Sequence, residues 1–123
     1  MIAVTEVAFT GYPMTDAVRT RAFYEDIFKL KPTVNFEHEG KQWIEYDIGP
    51  STLAITNMFE KWKPAPDGPV IALELADFDE AVKIARGAGV KFLSEPMVTS
   101  SCRLAVIADP DGNSLMLHQR NSQ

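Results

Sequence analysis

Asp109-Pro110-Asp111-Gly112-Asn113-Ser114-Leu115-Met116-Leu117-His118-Gln119 is a tight turn that runs straight into a strand. Pro110 presets φ early in the turn, Gly112 takes the conformation that other residues resist, and Asp and Asn side chains cap the backbone locally. The strand then alternates, with Leu115 and Leu117 on one face and Ser114, Met116 and His118 on the other.

Outward from this turn, the chain falls into two similar halves. In the first, Glu6 to Tyr12 reads as a strand ended by Pro13, and Thr15 or Asp16 can cap the helix that follows. From Ala17 to Leu30, Val18 recurs with Ala22, Phe23 with Ile27, and Tyr24 with Phe28, while Arg19, Arg21, Glu25 and Asp26 form the wet side. Pro32 stops the helix. Val34 to His38 and Lys41 to Ile48 read as strands joined at Glu39-Gly40, and Gly49-Pro50 turns into a strand from Leu53 to Thr56. Residues 58–69, rich in Lys, Pro, Asp and Gly, read as a linker. In the second half, Val70 to Leu75 is a strand, and Asp77 with Glu80 forms a capping box. The helix it opens carries Phe78, Ala81, Val82 and Ala85 on its apolar stripe, and Gly87 and Gly89 end it. Val90 to Val98, Cys102 to Ala108 and Ser114 to His118 complete the strands. The helix caps Asp16 and Asp77 are 61 positions apart and the turn prolines Pro50 and Pro110 are 60 apart. Such a period implies tandem copies of one supersecondary unit. The expected fold is α+β: one domain over residues 1–123, with a first module at about 1–57, a linker at 58–69 and a second module at about 70–119.

Composition sets the outer limits. A chain of 123 residues suits one domain. Its formal net charge of −5 and lack of a basic stripe disfavour nucleic acid as a partner. The single cysteine, Cys102, excludes an internal disulfide and is compatible with a reducing compartment. The N-terminal residues carry no basic region followed by an apolar run, and no window suits a membrane span. The expectation is a cytoplasmic protein that contacts neither membrane nor nucleic acid.

The closing turn Asp109 to Asn113, the helix start Asp77-Phe78-Asp79-Glu80-Ala81, and Asp16…Phe23-Tyr24-Glu25…Leu30 resemble the motifs of the vicinal-oxygen-chelate superfamily, the glyoxalase/bleomycin-resistance/dioxygenase proteins. The resemblance implies two βαβββ modules whose curved mixed sheets form a cup around a small-molecule ligand, and it implies a homodimer. It also implies, by spacing back from Asp16, that Phe9 lies in the cup with Val7. A bulge near Tyr12-Pro13 would instead turn Glu6 or Thr10 inward.

A sheet with helices on one side turns its apolar stripe toward them. Ile44, Tyr46 and Ile48 then meet the helix, and Trp43, Glu45 and Asp47 face the cup. The same rule places Ala54 and Thr56, then Val70, Ala72 and Glu74, then Ser114, Met116 and His118 on the cup face. The strand from Arg103 is ambiguous alone; the repeat offset aligns Arg103 with Trp43 and places it in the cup. The expected ligand-binding residues are Phe9, Trp43, Glu45 and Thr56 in the first half, with Glu74, Arg103, Met116 and His118 in the second.

In metal-dependent members of the resembled family, His or Glu occupies one position on each module's first strand and one on each last strand. Those positions here are Phe9, Ala54, Val70 and Met116. None suits a hard or borderline cation, and Met sulfur suits soft metals only. His38 sits by a hairpin turn. A displaced site of Glu45, Glu74 and His118 is the metal alternative. No cofactor is expected, and the favoured function is metal-free small-molecule binding. The alternative is a glyoxalase-like lyase or isomerase, or a dioxygenase-related hydrolase, with a divalent metal or with Glu45, Glu74 or His118 as an acid–base group. Glu45 with Asp47 is a candidate carboxylate pair. Arg103 could clamp a ligand anion or pair with Glu45 or Glu74, and Trp43 and Phe9 suit stacking on a flat ligand.

Overall fold

Asp16 and Asp77 each stand in extended backbone and accept a hydrogen bond from the backbone N–H three residues on, Arg19 at 3.2 Å and Glu80 at 3.1 Å. Each thereby satisfies an orphan donor of the helix it opens. The computed structural model describes residues 3–121. The chain divides between Lys63 and Pro64 into two units.

The first unit runs β1 (Thr10–Pro13), α1 (Ala17–Ala22), a π-helical turn (Phe23–Ile27), β2 (Pro32–His38), β3 (Lys41–Ile48) and β4 (Ser51–Thr56). Its sheet has the order β1-β4-β3-β2, with β1 parallel to β4 and the other pairs antiparallel. The second unit runs β5 (Ile71–Glu74), α2 (Phe78–Gly87), β6 (Phe92–Val98), β7 (Cys102–Ala108) and β8 (Ser114–Arg120). Its sheet has the order β5-β8-β7-β6, with β5 parallel to β8. The two halves therefore trace one path twice, and the fold is α+β, built of two tandem βαβββ modules. No helix among the described residues is long and apolar enough to cross a membrane.

In the first unit, Ile44 pairs with Ile55 and Tyr46 with Leu53, and all four are fully buried. The ring of Tyr24 lies 6.1 Å from that of Tyr46, which fixes this as the helix-facing side. In the second unit, Leu115 and Leu117 pair with Ile107 and Ala105, again fully or almost fully buried. The antiparallel edge strands β2 and β6 are blunted, as exposed edges generally are. β2 opens at Pro32 with a register shift, and β6 contains Pro96 and two shifts.

Three expectations need correction. The first strand begins at Thr10, not Glu6. Its parallel partner β4 starts at Ser51, only two residues before Thr10's partner Leu53, so earlier residues run out of ladder. The helix after Asp16 is regular only to Ala22, and then widens into the π-helical turn that lets adjacent Phe23 and Tyr24 both reach the core. Val18, expected on the apolar stripe, is 83% exposed, while Thr20 is buried.

Glu25 joins this turn to β3. It accepts from Arg21 Nε at 2.7 Å and from the Tyr46 hydroxyl at 2.8 Å. Burial raises the Tyr46 hydroxyl's pKa most, and the bond to Glu25 adds to it. Burial by itself would raise the Glu25 pKa, but the Arg21 and Tyr46 bonds together outweigh it and hold the carboxyl below its ordinary value. The stabilisation is then present above the unfolded-state pKa and is lost as pH falls through the lower folded value. Tyr46→Phe should destabilise the protein by about 1–2 kcal/mol near neutral pH in denaturant titrations, with the deficit shrinking on acidification. A deficit that grew at acid pH would contradict this arrangement.

Candidate functional site

Pleat parity decides which side chains lie opposite each helix. Glu45 pairs with Ala54 and Trp43 with Thr56, so these four stand on the outer face of the first sheet. Gly11 pairs with Ala54, which puts Gly11 there too. Phe9, just before β1, sets its ring edge-on to Trp43 with centroids 5.0 Å apart. Phe9 is therefore on the outer face, while Thr10, paired with Leu53, is on the helix side.

Two further rings complete this surface, and they come from the stretch read as a linker. Trp62 N–H donates to Phe59 carbonyl at 3.1 Å, which turns the chain back. The Phe59 and Trp62 rings then lie 4.8 Å apart, at 6.3 and 6.4 Å from Trp43. Offset and edge-to-face arrangements at these spacings are the favourable ones. Gly11 makes room for them: a Cβ there would lie 3.1 Å from Trp62 Cζ3 and 3.5 Å from Phe9 Cε1. The cluster is only part covered, with Phe9 41%, Phe59 50% and Trp62 43% exposed. No hydrophobic period marks residues 58–69, so nothing in their pattern brings Phe59 and Trp62 to Trp43; the one available signal was two large aromatics within a polar, proline-rich stretch.

Glu45 accepts from Trp43 Nε1 at 2.7 Å. Asp47 is exposed and accepts from the Thr52 hydroxyl at 3.2 Å. The two carboxylates are therefore held by separate local donors. Thr56 is buried; its hydroxyl donates to Gln42 carbonyl at 2.8 Å and accepts from Met58 N–H at 3.0 Å. That hydroxyl fastens the end of β4 to β3.

In the second unit, Glu74 pairs with His118 and Ala72 with Met116 on the outer face. Glu74 Oε1 lies 2.6 Å from His118 Nδ1, and Oε2 accepts from Arg120 N–H at 2.7 Å. Those two bonds, Arg120's first, hold the Glu74 carboxyl below its ordinary value. His118 Nε2 has no hydrogen-bond partner among the described residues.

Arg103 is not on this face. It pairs with Gln119, on the side of Leu115 and Leu117, and its guanidinium lies 3.0 Å from Asp79 of α2. Leu104, paired with His118, takes the position corresponding to Trp43. The proline offset of 60 falls one short of the 61 positions that separate Trp43 from Leu104, and a one-residue slip flips a strand's faces.

The turn itself is a buried knot. Asp109 Oδ1 accepts from the Asp111 and Asn113 N–H groups, each at 2.9 Å, and Asn113 Oδ1 accepts from Ala65 N–H at 3.1 Å. Gly112 takes φ +96°, where a side chain is strained.

The positions at which a family metal is implied, Phe9, Ala54, Val70 and Met116, offer no nitrogen or oxygen side-chain donor, so they do not fit one. No group of three or more His, Cys, Asp or Glu able to hold a metal ion occurs among the described residues.

The sequence model of the Glyoxalase/Bleomycin resistance protein/Dioxygenase superfamily matches residues 6–117. No curated protein matches the chain's sequence. Among solved structures, TnmS3, an antibiotic binding protein from Streptomyces sp. CB03234, is similar at TM-score 0.81 and 21% identity, covering 98% of this chain and 100% of that one. A glyoxalase/bleomycin resistance protein from the same organism aligns at 0.76 and 22%, covering 93% and 100%. The genomically encoded fosfomycin resistance protein FosX from Listeria monocytogenes aligns at 0.75 and 15%, covering 97% and 96%.

Both tryptophans of the chain stand in the aromatic cluster, so the intrinsic emission reports on it alone. Gly11→Ala should push the Trp62 ring aside and shift that emission to the red, with a stability change of about 1 kcal/mol or less. An unchanged spectrum would contradict the packing of Trp62 over Gly11.

Proposed function

The chain belongs to the Glyoxalase/Bleomycin resistance protein/Dioxygenase superfamily, and from that premise we propose that it binds a ring-bearing small molecule on the aromatic face of its first unit without a metal ion. The observation that carries this reading is the cluster of Phe9, Trp43, Phe59 and Trp62, four large rings gathered on one sheet face and left two-fifths or more open at three of them. Flat apolar ligands gain both area burial and ring stacking on such a surface. The donor chemistry at the four family positions supports metal independence, since carbon and thioether groups cannot hold a hard cation. The antibiotic-binding description of TnmS3 lends the reading support from a protein of the same fold. Sequestration, with no bond made or broken, is the simplest activity such a surface provides. Assembly as a homodimer in the cytoplasm belongs to the same proposal.

A second reading rests on the Glu74–His118 contact. A carboxylate on Nδ1 orients the ring and leaves Nε2 to take a proton, which would serve a metal-free lyase or isomerase.

Acridine, a flat three-ring probe, separates the two. Trp43→Ala should weaken acridine binding tenfold or more, which is about 1.4 kcal/mol, and exhaustive treatment with chelator should leave affinity unchanged. His118→Ala should alter it less than about threefold. Affinity that depended on His118 and ignored Trp43 would favour the second reading, and affinity lost with chelator would overturn metal independence.

A further inference from the structure

Among the described residues, one charged group is hydrogen-bonded to a ring of the aromatic cluster. Glu45 stands two residues from Trp43 on the same side of β3, half-buried, and its Oε2 accepts the indole N–H at 2.7 Å. That bond fixes the Trp43 ring. Oε1 accepts from no donor among the described residues, and Glu45 forms no ion pair among them. Around Trp43 stand the part-exposed residues Phe9, Phe59 and Trp62.

A neutral apolar ligand laid over this surface would strip water from the carboxylate and return nothing for it. A ligand carrying a positive charge would compensate that loss. The same charge would be attracted to the negative faces of the rings, most strongly to tryptophan. The overall charge of −5 attracts such a ligand at longer range. Resting on the reading of the aromatic face as the binding surface, we propose that the ligand class is the organic cation: a flat ring system bearing a protonated or quaternary nitrogen, with its charge against Glu45 and its rings on Trp43 and Trp62.

The test compares 9-aminoacridine, protonated at neutral pH, with acridine, which shares its three rings and is neutral there. Calorimetry on the full chain gives both affinities. The cation should bind about tenfold more tightly, and raised salt should reduce the preference. Glu45→Gln keeps an oxygen to accept from Trp43, so the ring stays in place and only the charge is removed. In that variant the preference should disappear, and acridine, which no longer strips water from a carboxylate, should bind at least as tightly as it does to the wild type. Unaltered tryptophan emission would verify that the cluster is intact. Equal binding of the two probes by the wild type would overturn the cation assignment and leave the aromatic binding surface standing. A preference that survived Glu45→Gln would overturn the role of Glu45. Failure of both probes to bind would overturn the inference and the reading beneath it together.

Discussion

A β-strand turns alternate side chains to opposite faces, and here one face of each sheet is taken by its helix. That constraint orders the molecule. Once Ile44, Tyr46, Leu53 and Ile55 are committed to the helix side, Trp43, Glu45, Ala54 and Thr56 have only the other face. Once Leu115 and Leu117 are committed, Met116 and His118 follow in the same way. The candidate surfaces are thus consequences of core packing, and what distinguishes this chain is which residues occupy them. In the first unit rings and the Glu45 carboxylate are prominent among them, while Phe9 and Ala54 stand where the family's metal chemistry would require cation-ligating side chains.

Much of this was legible in the sequence. The two closing turns, the Asp16 and Asp77 caps and the alternation of strands β3, β4 and β8 were all marked by local chemistry. Local signals were obeyed because they agree with the tertiary structure, which is how foldable sequences are built. That Phe9, Ala54, Val70 and Met116 carry no oxygen or nitrogen side-chain donor depends on residue identity alone.

What was missed has specific causes. Arg103 was placed by an offset of 60 taken from turn prolines, one short of the 61 that relates Trp43 to Leu104, and that single position was enough to reverse its face. Thr20 replaced Val18 in the core because the helix turns where burial of Tyr24 requires, through a π-helical segment that no simple period describes. Phe59 and Trp62 were hidden in a stretch whose prolines and lysines correctly denied it regular structure. Irregular backbone still returns to the sheet when large rings can pack there, and these two rings make up half of the aromatic cluster.

The proposed binding sets ligand rings on the first unit's outer face, and the two indole N–H groups are direct reporters of it. In a ¹⁵N-labelled sample titrated with acridine, both indole resonances, from Trp43 and Trp62, should move with a common saturation curve while the His118 ring signals stay in place. Movement of the His118 signals with the indole resonances fixed would contradict it.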